Sequence, residues 1–241
     1  MTPRTMKQRV GARLAGWLPL SRSSIALIRL ELAAMRVRLA YALLPWWRLR
    51  ARRLRALREV YVNVASGPYR LPGFVNVDVI DTGPGGVRWD CRTSLPFADG
   101  AARGIRMEHF AEHLEPRDEL PALLLDCHRC LATGGVLRVI VPDAAAMLRA
   151  YLAPGTDALA AIGVPIPFPD DLPSRMDVVA FTFHQWHEHR WGYDAESLAR
   201  RLTQAGFREV SALTYGAGHD AMLTQDRPEH APYSLYVEGV K

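Results

Sequence analysis

A glycine and an acid, each at the end of an extended run, carry the most suggestive chemistry in this chain. Tyr61, Val62 and Val64 belong to a β-branched and aromatic run that breaks at Ala65-Ser66-Gly67-Pro68, and a second run, Phe74-Val75-Asn76-Val77, ends on Asp78. A glycine at the first strand end lets a ligand approach the backbone, and a carboxylate at the second can accept hydrogen bonds from ribose hydroxyls. Ligands of open α/β sheets bind at the carboxyl ends of the strands. Residues 61–78 therefore outline a site for a nucleoside-bearing cofactor.

Histidines form the second set of reactive groups. His109-Phe110-Ala111-Glu112-His113 matches H-x-x-E-H, in which one helix face offers two imidazoles to zinc. The alternative is that Glu112 and His113 satisfy polar groups at a helix start. His184, His187 and His189 fall within six residues and suit an acceptor-side base, a metal site or a solvated loop. His189 and Tyr193 are the choices for an acceptor role, while Trp186 and Trp191 suit either stacking on a sugar or packing in the core, with packing the default. Cys127 and Cys130 form C-x-x-C on an apparent helix without a second cysteine pair, which suits half-buried thiols better than a metal or redox centre. The third cysteine, Cys91, makes an odd set without a secreted disulfide framework, so a reducing, cytoplasmic setting is expected.

These groups need a sheet to position them. Residues 87–90 read as a short third strand and 104–107 as a fourth. Residues 116–131 read as a helix stopped by Thr133-Gly134-Gly135, and 136–142 as a buried strand. Asp194 is placed to cap a helix over 195–205 that ends at Gly206, and strands near 210–214 and 234–237 would form an antiparallel hairpin. Alternating strands and helices predict a mostly parallel α/β sheet. Residues 152–182 are Pro-rich without sustained periodicity and read as a lid or insert.

The net charge of +5 conceals an asymmetry. Residues 1–58 carry 14 Lys and Arg against the single acid Glu31, a net +13, whereas 59–241 carry 16 basic and 24 acidic residues, a net −8. The chain divides accordingly into a basic arm, 1–58, and a domain, 59–241. The arm has no run of 18 uncharged apolar residues, so neither a spanning helix nor a secretory signal is read there. Its mixture of aliphatic, Trp and Arg residues predicts amphipathic helices suited to an anionic membrane surface, on the inner face of the membrane. The other readings are a helical cap on the domain or an oligomer partner; nucleic acid is the least favoured.

In this order the motifs resemble the class I S-adenosylmethionine-dependent methyltransferases, and among them a short bacterial group with a Leu-Pro-Gly-Phe/Trp-Val-Asn-Val-Asp turn between the first strands. The resemblance is carried by Val62 to Asp78, Leu95-Pro96-Phe97-Ala98-Asp99, Glu108-His109 with Glu112-His113-Leu114, Cys127-His128-Arg129-Cys130-Leu131 with Gly134-Gly135-Val136-Leu137-Arg138, Val141-Pro142-Asp143, and Tyr193 to Phe207. It implies a Rossmann-like fold, S-adenosyl-L-methionine as cofactor, and in-line attack of an acceptor on the sulfonium methyl. The acceptor it suggests is a small molecule, a saccharide or a lipid-linked glycan.

By position, Ala65, Ser66 and Gly67 would underlie the cofactor's methionine and ribose, and Asp78 would bind the ribose hydroxyls. Asp90 would read the adenine amino group with Cys91 and Arg92 beside it. Glu108 and His109 would face donor and acceptor. Two departures stand out: Gly67 is the only glycine of the first turn, and six residues, Pro68 to Gly73, are too few for a crossover helix. Part of the pocket wall must then come from elsewhere. Rival readings are a non-catalytic, membrane-held scaffold of the same fold and a zinc hydrolase using H-x-x-E-H.

Overall fold

The computed structural model describes residues 21–80, 83–92, 94–155, 157–162 and 174–241; the rest of the arm and of the Pro-rich segment lies outside the described residues. Strands β1 (Val60–Val64), β2 (Phe74–Asp78), β3 (Val87–Arg88), β4 (Ala102–Glu108), β5 (Leu131–Pro142), β6 (Arg208–Leu213) and β7 (Ser234–Val240) form one sheet in the order β3-β2-β1-β4-β5-β7-β6. Strands β1 to β5 pair in parallel, and β7 runs antiparallel to both β5 and β6. This is the Rossmann-like, mostly parallel α/β sheet with an antiparallel C-terminal hairpin that the sequence predicts. Val64, Ile105 and Val139, on adjacent central strands, are 0% exposed, as expected of strands covered on both faces.

Helices α3 (Glu119–Cys130) and α7 (Ala195–Gln204) bury Leu120, Leu123, Leu124 and Cys127, and Leu198 and Leu202, at helical spacing. Asp194 caps α7 as predicted, its carboxylate accepting from the Ser197 amide at 2.8 Å. Helix α3 ends earlier than expected. Leu131 already belongs to β5, and Gly134, at φ 76°, sits where the pairing with β4 shifts register; the Gly-Gly pair makes a bulge, not a helix stop. The third strand is also shorter than expected, spanning Val87–Arg88, although the Trp89 amide still donates to the Asp78 carbonyl at 2.8 Å.

The Pro-rich segment holds more regular structure than its periodicity shows. Helices α4 (Ala144–Leu152), α5 (Asp157–Ile162) and α6 (Arg175–His184) gather Met147, Leu159 and Val179 into a small core of their own.

The short link between β1 and β2 is held by amides. Asn63 donates to Asn76 Oδ1 at 2.9 Å, and Asn76 both accepts from the Leu71 amide at 2.9 Å and donates to the Leu71 and Phe74 carbonyls. Both asparagines are buried, so these contacts satisfy polar groups that water cannot reach.

The arm folds as α1 (Arg22–Leu43) and α2 (Pro45–Ala56), interrupted where Pro45 takes the first position of α2. Both lie against the domain. Ala34 and Val37 of α1 are buried, and Leu54 of α2 joins the main core. Arg38 pairs with Asp90 at 2.6 Å, and Glu31 with Arg92 at 2.6 Å. Tyr41 packs edge-on against Trp47 and Trp89. Among the described residues, no helix is long and apolar enough to cross a membrane.

Behind the sheet, a charge network ties the β6–β7 connection to the strands. Arg106, Arg138 and Glu238 occupy facing registers on β4, β5 and β7, each with a fully buried side chain. Asp226 joins the two arginines, while Glu108 accepts from Arg106 at 2.8 Å and from His230 at 2.9 Å. Burial alone would raise the Glu108 carboxyl, but the His230 hydrogen bond and the Arg106 charge outweigh it and hold the group at about 2. A depressed carboxylate stabilises the fold above its unfolded value and loses that contribution as pH falls. The difference from an ordinary glutamate corresponds to about 3 kcal/mol. Urea unfolding is expected to show this loss between about pH 4.5 and pH 2, and Glu108→Gln should flatten it.

Candidate active site

The chain reverses direction across the sheet between β1 and β4, and a cavity of about 600 Å³ opens there at the carboxyl ends of the strands. Four strand ends contribute to its wall: Ala65 after β1, Asp78 closing β2, Asp90 after β3 and His109 after β4. Ala65 and His109 both hold left-handed backbone, at φ 52° and 50°, a conformation that costs a non-glycine residue about 1–2 kcal/mol. Such strain at adjacent strand ends is characteristic of functional sites. The wall that the missing crossover helix would have supplied comes from α1, through Ala26, Leu27 and Leu30.

Asp78 is the best placed of the predicted cofactor residues. Its Oδ2 accepts from the Gly67 amide at 2.8 Å and its Oδ1 from the Ile80 amide at 2.9 Å, which leaves lone pairs for further donors. Burial raises its carboxyl above the ordinary value, against those amide bonds. Gly67 has φ 54°, and a Cβ there would meet nothing within 4 Å, so its left-handed backbone and not crowding calls for glycine. Ser66 is buried and its amide donates to Val77, which joins the two strand ends.

Asp90 reaches the same cavity, but its oxygens accept from the Arg38 and Arg92 guanidiniums. Burial would raise it; the Arg92 hydrogen bonds and charge prevail, and its carboxyl lies below the ordinary range. Through Arg38 it ties α1 to the domain. Cys91 lines the floor with its thiol pushed up by burial, and Cys127 and Cys130 are buried free thiols on α3. None of the three has thiolate character.

Of the four residues expected on the catalytic side, only His109 borders the cavity. Its Nε2 lies 3.0 Å from Ser234 Oγ, and its Nδ1 lies 3.2 Å from Glu112. Glu108 belongs to the charge network behind it. Tyr193 is 1% exposed within the main core, with Arg201 over its ring and its buried hydroxyl without a hydrogen-bond partner among the described residues. His189 lies behind the cavity, its Nδ1 2.7 Å from the Thr182 carbonyl, while the neighbouring His187, Glu188 and Arg190 face the cavity instead.

The H-x-x-E-H helix is not formed. Residues Ala111–His113 make a single 3-10 turn, and the left-handed His109 lies outside it, so its two histidines share no helix face. His109 stacks edge-on with His230, and His113 with His189.

Sequence reading missed the α1 wall and the partners of His109. Glu31, the lone acid of a basic arm, was the available sign that the arm meets the domain. Nothing local points from His109 to Ser234 or His230, more than 100 positions away.

No family model and no curated protein matches the chain. Solved structures similar to it include a methyltransferase from Archaeoglobus fulgidus described as SAM-dependent, at 15% identity and TM-score 0.46, covering 88% of this chain and 94% of that one. Another, from Thermotoga maritima and described as a possible histamine N-methyltransferase, is 17% identical with TM-score 0.47, covering 89% and 96%. A third is the 1,6-didemethyltoxoflavin-N1-methyltransferase of Burkholderia thailandensis, with bound 1,6-didemethyltoxoflavin and S-adenosylhomocysteine; it is 13% identical with TM-score 0.46, covering 93% and 92%.

Proposed function

We propose that the protein is an S-adenosylmethionine-dependent methyltransferase. The observation that carries this reading is Asp78, a buried carboxylate with acceptor capacity to spare, set beside Gly67 on the wall of a 600 Å³ cavity at the sheet's switch point. Asp78 would hold the ribose hydroxyls, the Ala65-Ser66-Gly67 turn the methionine end, and Leu27 and Leu30 would keep water from the opposite side. The bound cofactor supplies an already activated methyl group, so the protein's work is orientation and exclusion of water. His109, with Ser234 at one nitrogen and Glu112 at the other, is the wall residue suited to take a proton from the acceptor. Saturable 1:1 binding of S-adenosylmethionine or S-adenosylhomocysteine tests the reading. A folded chain that binds neither would favour the scaffold alternative.

For the acceptor we favour a small molecule or a lipid-linked saccharide, on the strength of the arm. The outward side of α1 and α2 exposes Leu39, Leu43, Trp46 and Leu49 beside Arg48, Arg52 and Arg53, a composition suited to an anionic membrane surface. Removing the whole arm would also remove the cavity wall and Leu54 from the core, so deletion is an unsuitable probe. Trp46, 65% exposed, offers a cleaner one. Trp46→Asp should lower flotation with phosphatidylglycerol vesicles several-fold and leave the melting temperature unchanged; undiminished flotation contradicts a lipid-facing arm.

A further inference from the structure

We propose that Glu112, His113 and His189 form a divalent-metal site beside the cavity, suited to zinc or another first-row transition ion. The site does not depend on the methyl-transfer reading. The ligand atoms these residues offer lie within 4.8 Å of one another. Two imidazoles and a carboxylate are a recurrent ligand set for such ions, with an open position left for water or substrate.

Three independent features support the assignment. First, the Glu112 side chain is 2% exposed and neither of its oxygens makes a well-aligned hydrogen bond, its ion-pair contact being His109 Nδ1 at 3.2 Å, although burying an under-satisfied carboxylate is costly. The ligand atoms of His113 and His189 lie within 4.8 Å of that carboxylate. Second, both histidines are already oriented as metal ligands are. His189 Nδ1 lies 2.7 Å from the Thr182 carbonyl and His113 Nδ1 lies 3.0 Å from the Glu188 carbonyl. A carbonyl only accepts, so each Nδ1 carries a proton and each Nε2 is the nitrogen left to face an ion. Backbone carbonyls are the usual outer partners of metal-bound imidazoles. Third, the backbone fixes the two segments together. The Arg190 and Trp191 amides both donate to the Glu112 carbonyl, at 2.7 and 3.2 Å, which anchors the 189–191 segment on the 3-10 turn.

A small internal cavity of about 10 Å³ touches both Glu112 and His189, roughly the room of one water or ion. His113 borders the large cavity on the other side. A bound ion would draw the ligands together to the roughly 2 Å typical of Zn–N and Zn–O bonds. This set differs from H-x-x-E-H: it drops His109 and recruits His189 from 76 positions further along. On the methyl-transfer reading, an acceptor oxygen held by the ion would lose its proton more readily beside His109.

Cobalt(II) alone, titrated into the chelator-stripped full chain, tests the site without any measure of activity. The expected result is one equivalent bound, with the visible absorption of four- or five-coordinate cobalt, displaced by one equivalent of zinc(II). Two exchangeable imidazole N–H resonances shifted by the cobalt should accompany it, one from each Nδ1–H. Glu112→Gln and His189→Ala, with folding checked by circular dichroism, should weaken binding by roughly 100-fold or more, beyond the 10–100-fold typical of outer partners. His230→Ala, in the neighbouring set of Glu108, His109 and His230, should leave it unchanged. Three results would overturn the proposal: no absorption from the folded wild-type chain at tenfold excess cobalt, no shifted N–H resonances, or a signal that survives His189→Ala and vanishes in His230→Ala.

Discussion

Replacing Asp226 with alanine is expected to be the most destabilising single change in the domain. Its buried carboxylate accepts from Arg106 Nη1 at 2.8 Å, from Arg138 Nε at 3.0 Å, from the second Arg138 donor Nη2 and from the Gly216 amide at 3.0 Å. Without it, two guanidiniums with no solvent contact face each other across β4 and β5, with Glu108 and Glu238 as their remaining ion-pair partners among the described residues. Breaking a buried ion pair by removing one partner costs about 3–5 kcal/mol, a large share of the roughly 5–15 kcal/mol that holds a domain folded. Urea denaturation of Asp226→Ala should show a loss of that size, and Asp226→Asn, which keeps one acceptor oxygen, a smaller one. A loss under about 1 kcal/mol would mean that the network contributes little.

The second large effect falls on ligand affinity. Asp78→Ala removes the carboxylate assigned to the ribose hydroxyls. Hydrogen bonds to a charged group are worth about 1.5–3 kcal/mol each, so losing two should weaken S-adenosylmethionine binding by roughly 100-fold or more. Asp78→Asn retains one acceptor and should lose roughly tenfold. Asp90→Ala is expected to act differently. It frees Arg38 of α1 while leaving the Arg92–Glu31 pair in place, so it should increase proteolysis of the arm together with any loss of affinity. Equal affinity losses in Asp78→Ala and Asp90→Ala, with the arm equally protected in both, would contradict this division of roles.

The architecture was legible because strand runs, turn residues and the Asp194 cap are local signals. The glycine and acid at the ends of β1 and β2 were legible for the same reason. What sequence reading could not place depended on distant partners. His109, Ser234 and His230 meet only because β4, β5 and β7 are neighbours in the sheet. Arg106 stands between buried Ile105 and Met107, and Arg138 between buried Leu137 and Val139. An arginine in a buried run must have a buried acid, and that requirement was the available clue to Asp226 and Glu238. The H-x-x-E-H spacing, one of the rival readings, places no two histidines on one helix face because the chain makes a left-handed residue and one 3-10 turn there. The arm's charge asymmetry suggested an outward role, whereas α1 has two sides, one of them the wall of the cavity.

The central claim is that this cavity takes S-adenosylmethionine with Asp78 on its ribose, and isothermal calorimetry on the full chain tests it most directly. One site per chain, occupied at micromolar S-adenosylmethionine and S-adenosylhomocysteine and lost in a folded Asp78→Ala chain, is the expected result. No heat of binding from the folded wild-type chain at high micromolar ligand, or undiminished affinity in Asp78→Ala, would contradict it.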